Sequence, residues 1–147
     1  MDDILKRDIK EILPHREPFI FIDKVLEVKD GFVVASKVIK VDEDYFRGHF
    51  PGQPFMPGVL IVECMAQTGG IACSTLNSNM KGGIFFLSRI CDVKFLQSVM
   101  PDSTITMRAQ VIEKYPPFYK VDVTGEVDGK IVARGEIVLT KQEGRRV

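Results

Sequence analysis

Two histidines occur in the 147 residues, His15 and His49, and imidazole is the side chain that most readily takes and returns a proton near neutral pH. A base of that kind must be one of these two. His49 stands in Tyr45-Phe46-Arg47-Gly48-His49-Phe50-Pro51-Gly52-Gln53-Pro54-Phe55-Met56-Pro57-Gly58. Proline and glycine punctuate this stretch too often for regular structure, so it reads as an ordered loop able to hold a ring in place. His15 lies in Leu13-Pro14-His15-Arg16-Glu17-Pro18, beside charges, and His49 is the preferred base. A ring packed or bonded only for stability is the ordinary alternative.

Glu63 is the second group of interest, a carboxylate within Val59-Leu60-Ile61-Val62-Glu63-Cys64-Met65-Ala66, where no solvated face is evident. Desolvation raises a carboxyl's pKa, and a carboxyl still protonated near neutral pH can give its proton to a leaving hydroxyl. The plainer reading is a carboxylate satisfied by backbone groups or by an arginine such as Arg89. Gly58 is expected to open a helix, where unpaired amides and the positive dipole end suit a developing oxyanion. Glu63 would then lie roughly 7–8 Å further along the axis. Gln67, one turn beyond on the same face, is placed to orient it. With Phe50 and Val59, Gly58 and Gln67 make up the expected substrate-binding set. A base, an acid and an oxyanion donor are the parts needed to take a proton α to a carbonyl and expel a β-hydroxyl. Signatures for serine hydrolysis, nucleotide binding and zinc hydrolysis are missing from the sequence, so neither metal nor other cofactor is called for.

Elements able to position these residues can be read from periodicity. Ile4, Leu5, Ile9, Ile12 and Leu13 recur at helical spacing behind Asp2 and Asp3 and stop at Pro14, predicting one short amphipathic lid helix. Residues 19–28 and 32–41 are rich in β-formers about Lys29-Asp30-Gly31, predicting a hairpin. Pro57 sits where a first-turn proline is favoured, and residues 59–76 predict a helix apolar on nearly every side. Residues 83–88, 93–99, 104–114, 118–127 and 130–140 follow as strands, about seven segments in all. A helix buried all round with no second helical layer demands an antiparallel sheet wrapped about it. That α+β arrangement is the hot-dog fold. Small residues Ala66, Gly69, Gly70 and Cys73 read as close-packing positions.

The bulk numbers agree with one domain over residues 1–147: 45% hydrophobic, 27% charged, with 20 basic residues against 20 acidic. A phosphate-tracking nucleic-acid binder needs a basic excess that is missing here. Three cysteines without C-x-x-C spacing predict reduced thiols rather than a disulfide or zinc framework. The charged start argues against export, and Glu63 and Gln67 argue against membrane insertion of the apolar stretch, so a cytoplasmic protein is expected. The polar tail 141–147 is expected to fray.

Leu13-Pro14-His15-Arg16 with Pro18-Phe19, then Gly48-His49-Phe50-Pro51-Gly52, then Met56-Pro57-Gly58-Val59-Leu60 with Glu63 and Met65-Ala66-Gln67, resembles in order and spacing the short 3-hydroxyacyl-acyl-carrier-protein dehydratases of bacterial-type fatty-acid synthesis. The resemblance implies that His49 takes the C2 proton, Glu63 assists loss of the C3 hydroxyl, and the Gly58 amide binds the thioester carbonyl. It further implies a homodimer or trimer of dimers in which His49 of one subunit faces Glu63 of the other. Glutamate rather than aspartate at position 63 resembles the simple dehydratase rather than the related dehydratase-isomerase. The partner implied is acidic acyl carrier protein, for which Arg89, Lys94, Arg145 and Arg146 are the first docking cations to consider. Two rivals share the fold: a thioesterase using the helix carboxylate on water, and a non-catalytic acyl-binding subunit.

Overall fold

A computed structural model describes residues 2–76 and 83–142. Arg145, Arg146 and most of the expected fraying tail lie outside these. The strands are β1 (Lys24–Lys29), β2 (Phe32–Ile39), β3 (Phe85–Phe95), β4 (Ser103–Tyr115), β5 (Phe118–Val127) and β6 (Lys130–Lys141). They form one sheet in the order β1-β2-β4-β5-β6-β3, with every pairing antiparallel. Helices α1 (Asp2–Lys6), α2 (Ile9–Ile12) and α3 (Gly58–Ser74) and a 3-10 turn over Asp44–Arg47 are the other elements among the described residues. α3 packs against β2, β3, β4, β5 and β6, which is the expected hot-dog fold.

Period-two alternation puts Ile105, Met107 and Ala109 of β4, Val121 and Val123 of β5, and Ile137 and Leu139 of β6 into the core, where α3 meets them. The helix seats closely because its contact face is small. A Cβ added at Gly69 would lie 3.2 Å from Leu139 Cδ1 and 3.5 Å from Val121 Cγ1, and Ala72 and Cys73 are fully buried beside it. Close packing therefore accounts for Gly69 and Cys73. Gly70 differs: a Cβ there would meet only Phe85 Cβ at 3.9 Å.

Several expected boundaries shift for physical reasons. The expected strands 83–88 and 93–99 merge into the single strand Phe85–Phe95, which leaves out residues 83–84 and 96–99, because bulges between Leu87 and Arg89 and between Ile90 and Asp92 absorb the polar break; the sheet has six strands, not seven. Gly135 of β6 faces that irregular stretch, and a Cβ there would clash with the Asp92 carbonyl oxygen and lie 2.6 Å from Val93 Cα. β1 starts at Lys24 rather than at residue 19, since the Phe19 carbonyl and Phe21 amide are bonded to the Gln67 side chain instead of to a ladder. The lid is two helical pieces rather than one, because Asp8 caps a new start by accepting from the Lys10 amide at 3.0 Å. Its apolar residues Ile4, Ile9, Ile12 and Leu13 are buried as their spacing predicts.

A charge cluster ties the loop that follows β2 to the sheet. Lys37, with its side chain 9% exposed, reaches Glu43 Oε2 at 3.2 Å and Asp23 Oδ1 at 3.7 Å, and Asp23 Oδ2 accepts the Val38 amide. The 3-10 turn begins at the next residue, Asp44, so this cluster holds the root of the segment that carries His49.

Candidate functional site

Residues 49–55 close on themselves. The His49 amide bonds the Tyr45 carbonyl at 3.1 Å, and the Phe55 amide returns to the His49 carbonyl at 3.2 Å. Across this loop His49 Nδ1 lies 2.9 Å from the Phe55 carbonyl oxygen. A carbonyl can only accept, so Nδ1 carries the proton and Nε2 keeps a free lone pair. The Phe50 ring stacks on the imidazole with centroids 4.1 Å apart, and Phe55 meets it edge-on at 5.2 Å. His49 opens on a recess lined by Met56, Gly58, Ile61, Phe95 and Gln97.

Pro57 caps α3 with φ −58° and ψ 135° instead of occupying its first helical position, which belongs to Gly58. Its carbonyl takes the Leu60 and Ile61 amides, so Gly58 and Val59 are the amides with no preceding turn to satisfy them. A Cβ at Gly58 would lie 3.1 Å from the Phe95 ring. Glycine thus lets that ring close over the helix start, and an anionic oxygen placed beside His49 would meet the positive dipole end.

Glu63 is less sealed than its sequence context predicts. Apart from Gly58 and Leu60 in its first turn, which are half-buried, α3 is sheathed except along a stripe: Val59 is exposed, and Glu63 and Gly70 are half-buried. These positions repeat at roughly whole turns on one side of the helix. The Glu63 side chain is 21% exposed and faces an apolar cavity with Leu13, Ala66, Gly70, Phe85 and Leu87. Gln67 Nε2 donates to Glu63 Oε2 at 3.0 Å and to the Phe19 carbonyl at 3.0 Å, while Gln67 Oε1 accepts the Phe21 amide at 2.9 Å. The orienting role expected of Gln67 thus has a geometry, and the glutamine also pins the N-terminal segment to the helix. Arg89 is no partner of Glu63; it borders a separate groove with Cys91, Glu113 and Tyr115.

Sequence reasoning set His15 aside, yet its Nε2 stands 3.7 Å from Glu63 Oε2, and it lines the same cavity. Burial pulls the His15 pKa below its ordinary value, with the Glu63 charge opposing that shift. The signal available was its membership of the Leu13-Pro14-His15-Arg16 string. What the string could not convey is that the chain folds this corner over residue 63.

His49 and Glu63 open on different cavities within one chain. Five residues separate Gly58 from Glu63, which is about 7.5 Å of rise but also about 140° of rotation. The axial estimate from sequence therefore missed that the two positions look to different sides of α3. Of the expected binding set, Gly58 lies with His49 and Gln67 with Glu63. Val59 is 75% exposed on the Glu63 stripe, while Phe50, 48% exposed, backs the imidazole.

Burial pushes the thiol of Cys64, next to Glu63, well above the usual range and that of Cys73 up to about 12. Both stay protonated and serve as packing groups rather than nucleophiles. No helix among the described residues is long and apolar enough to cross a membrane.

Comparison with known proteins places this geometry in context. The FabA-like domain family matches residues 13–136. The chain is 44% identical over 135 residues to a 3-hydroxyacyl-[acyl-carrier-protein] dehydratase FabZ of Ruminiclostridium cellulolyticum, covering 91% of this chain and 94% of that one. It is 42% identical over 133 residues to the protein of the same name from Streptococcus uberis, covering 90% and 94%. Among solved structures, the dehydratase heterocomplex ApeI:P from Xenorhabdus doucetiae superposes with a TM-score of 0.79 at 16% identity, over 93% of this chain and 92% of that one; at that identity the likeness is one of fold.

Proposed function

The chain belongs to the FabA-like family as a 3-hydroxyacyl-[acyl-carrier-protein] dehydratase, a hydro-lyase of fatty-acid biosynthesis, and on that premise we propose how its residues carry out the elimination. His49 Nε2 removes a C2 proton. The electron pair forms the C2–C3 double bond as the C3–O bond breaks, and Glu63 protonates the departing oxygen so that it leaves as water and a trans-2-enoyl thioester remains. The Gly58 amide and the N-terminus of α3 hold the thioester oxygen as it gains negative charge. His49 then returns its proton to solvent and Glu63 regains one, so the cycle consumes none. No cofactor enters the scheme.

The observation that carries this reading is the 2.9 Å contact from His49 Nδ1 to the Phe55 carbonyl, which leaves the ring a base at a helix N-terminus. Because His49 and Glu63 of one chain open on different cavities, the working site is composite. His49 of one copy meets Glu63 of a second in a homodimer, and such dimers assemble as a trimer of dimers. The acyl carrier protein delivers the substrate in the cytoplasm. Phe50 and Val59 flank the bound thioester.

Hydration of an enoyl thioester, the reverse reaction, erases the absorbance of the conjugated bond and gives the assay. Glu63→Gln and His49→Ala should each lower the rate by roughly 100- to 10,000-fold. Wild-type hydration by either variant would remove that residue from the mechanism, and thioester cleavage with release of free thiol would favour a thioesterase instead.

A further inference from the structure

The geometry points to His15 as a positioning residue that, together with Gln67, fixes which oxygen of Glu63 carries the acid proton. This rests on Glu63 being the general acid. Gln67 Nε2 and His15 Nε2 approach the same carboxyl oxygen, Oε2, at 3.0 Å and 3.7 Å. The glutamine cannot be turned round, because its Oε1 accepts the Phe21 amide and its Nε2 also donates to the Phe19 carbonyl. Oε2 is therefore the accepting oxygen. A proton held by Glu63 resides on Oε1, which is left free to deliver it.

The tautomer of His15 follows from its other nitrogen. Nδ1 is buried and has no hydrogen-bond partner among the described residues, and a buried N–H left unmade is rarer than a buried lone pair. The ring proton accordingly sits on Nε2, directed at Glu63. The separation of 3.7 Å exceeds a hydrogen bond, and a shift of roughly 0.5–1 Å would form one. His15 follows Leu13 and Pro14, which line the same cavity, so an acyl chain entering that cavity presses on the wall that bears the ring.

The ring must be neutral for this arrangement, since an imidazolium would draw the acid proton off Glu63. Burial favours the neutral form. Other charges near the corner are engaged elsewhere: the Arg16 guanidinium donates to the Leu13 and His15 carbonyls, and Lys10 pairs with Glu17 at 2.8 Å. Among the described residues, Glu63 is the one ionisable side chain lining this cavity with His15.

Steady-state hydration kinetics on the full chain test the assignment. His15→Leu should lose about 10- to 100-fold in kcat with KM changed by less than about threefold, because the acid is misaimed while the acyl cavity persists. His15→Gln, whose amide reaches the same oxygen, should recover most of the rate. In a Glu63→Gln background His15→Leu should cost nothing further, as expected of a residue that acts through Glu63. A silent His15→Leu, a loss confined to KM, or losses that multiply with Glu63→Gln would overturn the inference. Should the leucine variant fail to fold, His15→Phe carries the same comparisons. Wild-type activity in Glu63→Gln would defeat the mechanism itself, whereas an inactive Glu63→Gln beside a silent His15→Leu defeats only the role of His15.

Discussion

Mixing two dead enzymes should yield a live one. His49 shares its recess with Gly58, and Glu63 shares the other cavity with Gln67 and His15, about 140° further round the same helix. In the proposed composite site the two groups come from two chains. In a dimer formed from one His49→Ala chain and one Glu63→Gln chain, one site receives both defects and the other receives neither. Random re-pairing of equal amounts makes half the dimers mixed, each with one of two sites intact, so about one quarter of wild-type activity should return. The parents each retain no more than about 1% if the acid and base contribute their usual factors, so the rise is at least about 25-fold. The assay is enoyl-thioester hydration after the variants are unfolded and refolded together, with mixed dimers verified by differential tags. Verified mixed dimers no more active than the average of the parents would refute the composite site and require His49 and Glu63 to meet within one chain.

Three further outcomes concern the scaffold. Gly135→Ala should cost about 3 kcal/mol or more, because the obstructing atoms belong to the backbone of Asp92 and Val93 and cannot swing aside; a melting temperature within a degree or two of wild type would contradict this. Lys37→Met removes the cation that Glu43 and Asp23 share and should lower stability by about 1–2 kcal/mol, between an exposed and a buried pair because both carboxylates keep some contact with solvent, read from the urea midpoint. Burial depresses the folded-state pKa of His15, so its contribution is fully present above the unfolded value of about 6.5 and is lost as pH falls through the folded value. Urea midpoints at pH 7.5 and 5.5 should therefore differ less in His15→Leu than in wild type, and an equal or larger difference would contradict the assignment.

The hot-dog arrangement was legible because one long apolar helix among strand-forming segments admits few packings. The hairpin about Lys29-Asp30-Gly31 was legible too, since β1 and β2 pair across it and Gly31 supplies the positive φ of its turn. Boundaries failed where side chains replaced ladder partners. Gln67 takes the backbone groups of Phe19 and Phe21, and bulges carry β3 through the polar run Ser88-Arg89-Ile90-Cys91-Asp92. Glu63 was legible as the odd carboxylate on an apolar helix, although the open stripe beside it was not, because α3 is covered by distant strands. His15 was missed for the same reason: its neighbours in sequence are charged, whereas its neighbour in space is Glu63, brought there by the return of the chain across α3.

The seating of α3 has a consequence for substrate selection. With too little room at Gly69 for even a Cβ against the β6 and β5 side chains, the helix has little slack in which to retreat when a longer hydrocarbon tail arrives. On the proposal that the tail of the thioester lies in the cavity beside Glu63, discrimination by length falls to the bulk of what lines it with Ala66 and Gly70, chiefly Phe85 and Leu87. Trimming those walls would lengthen the accepted tail by whole methylene steps without disturbing the groups that perform the elimination.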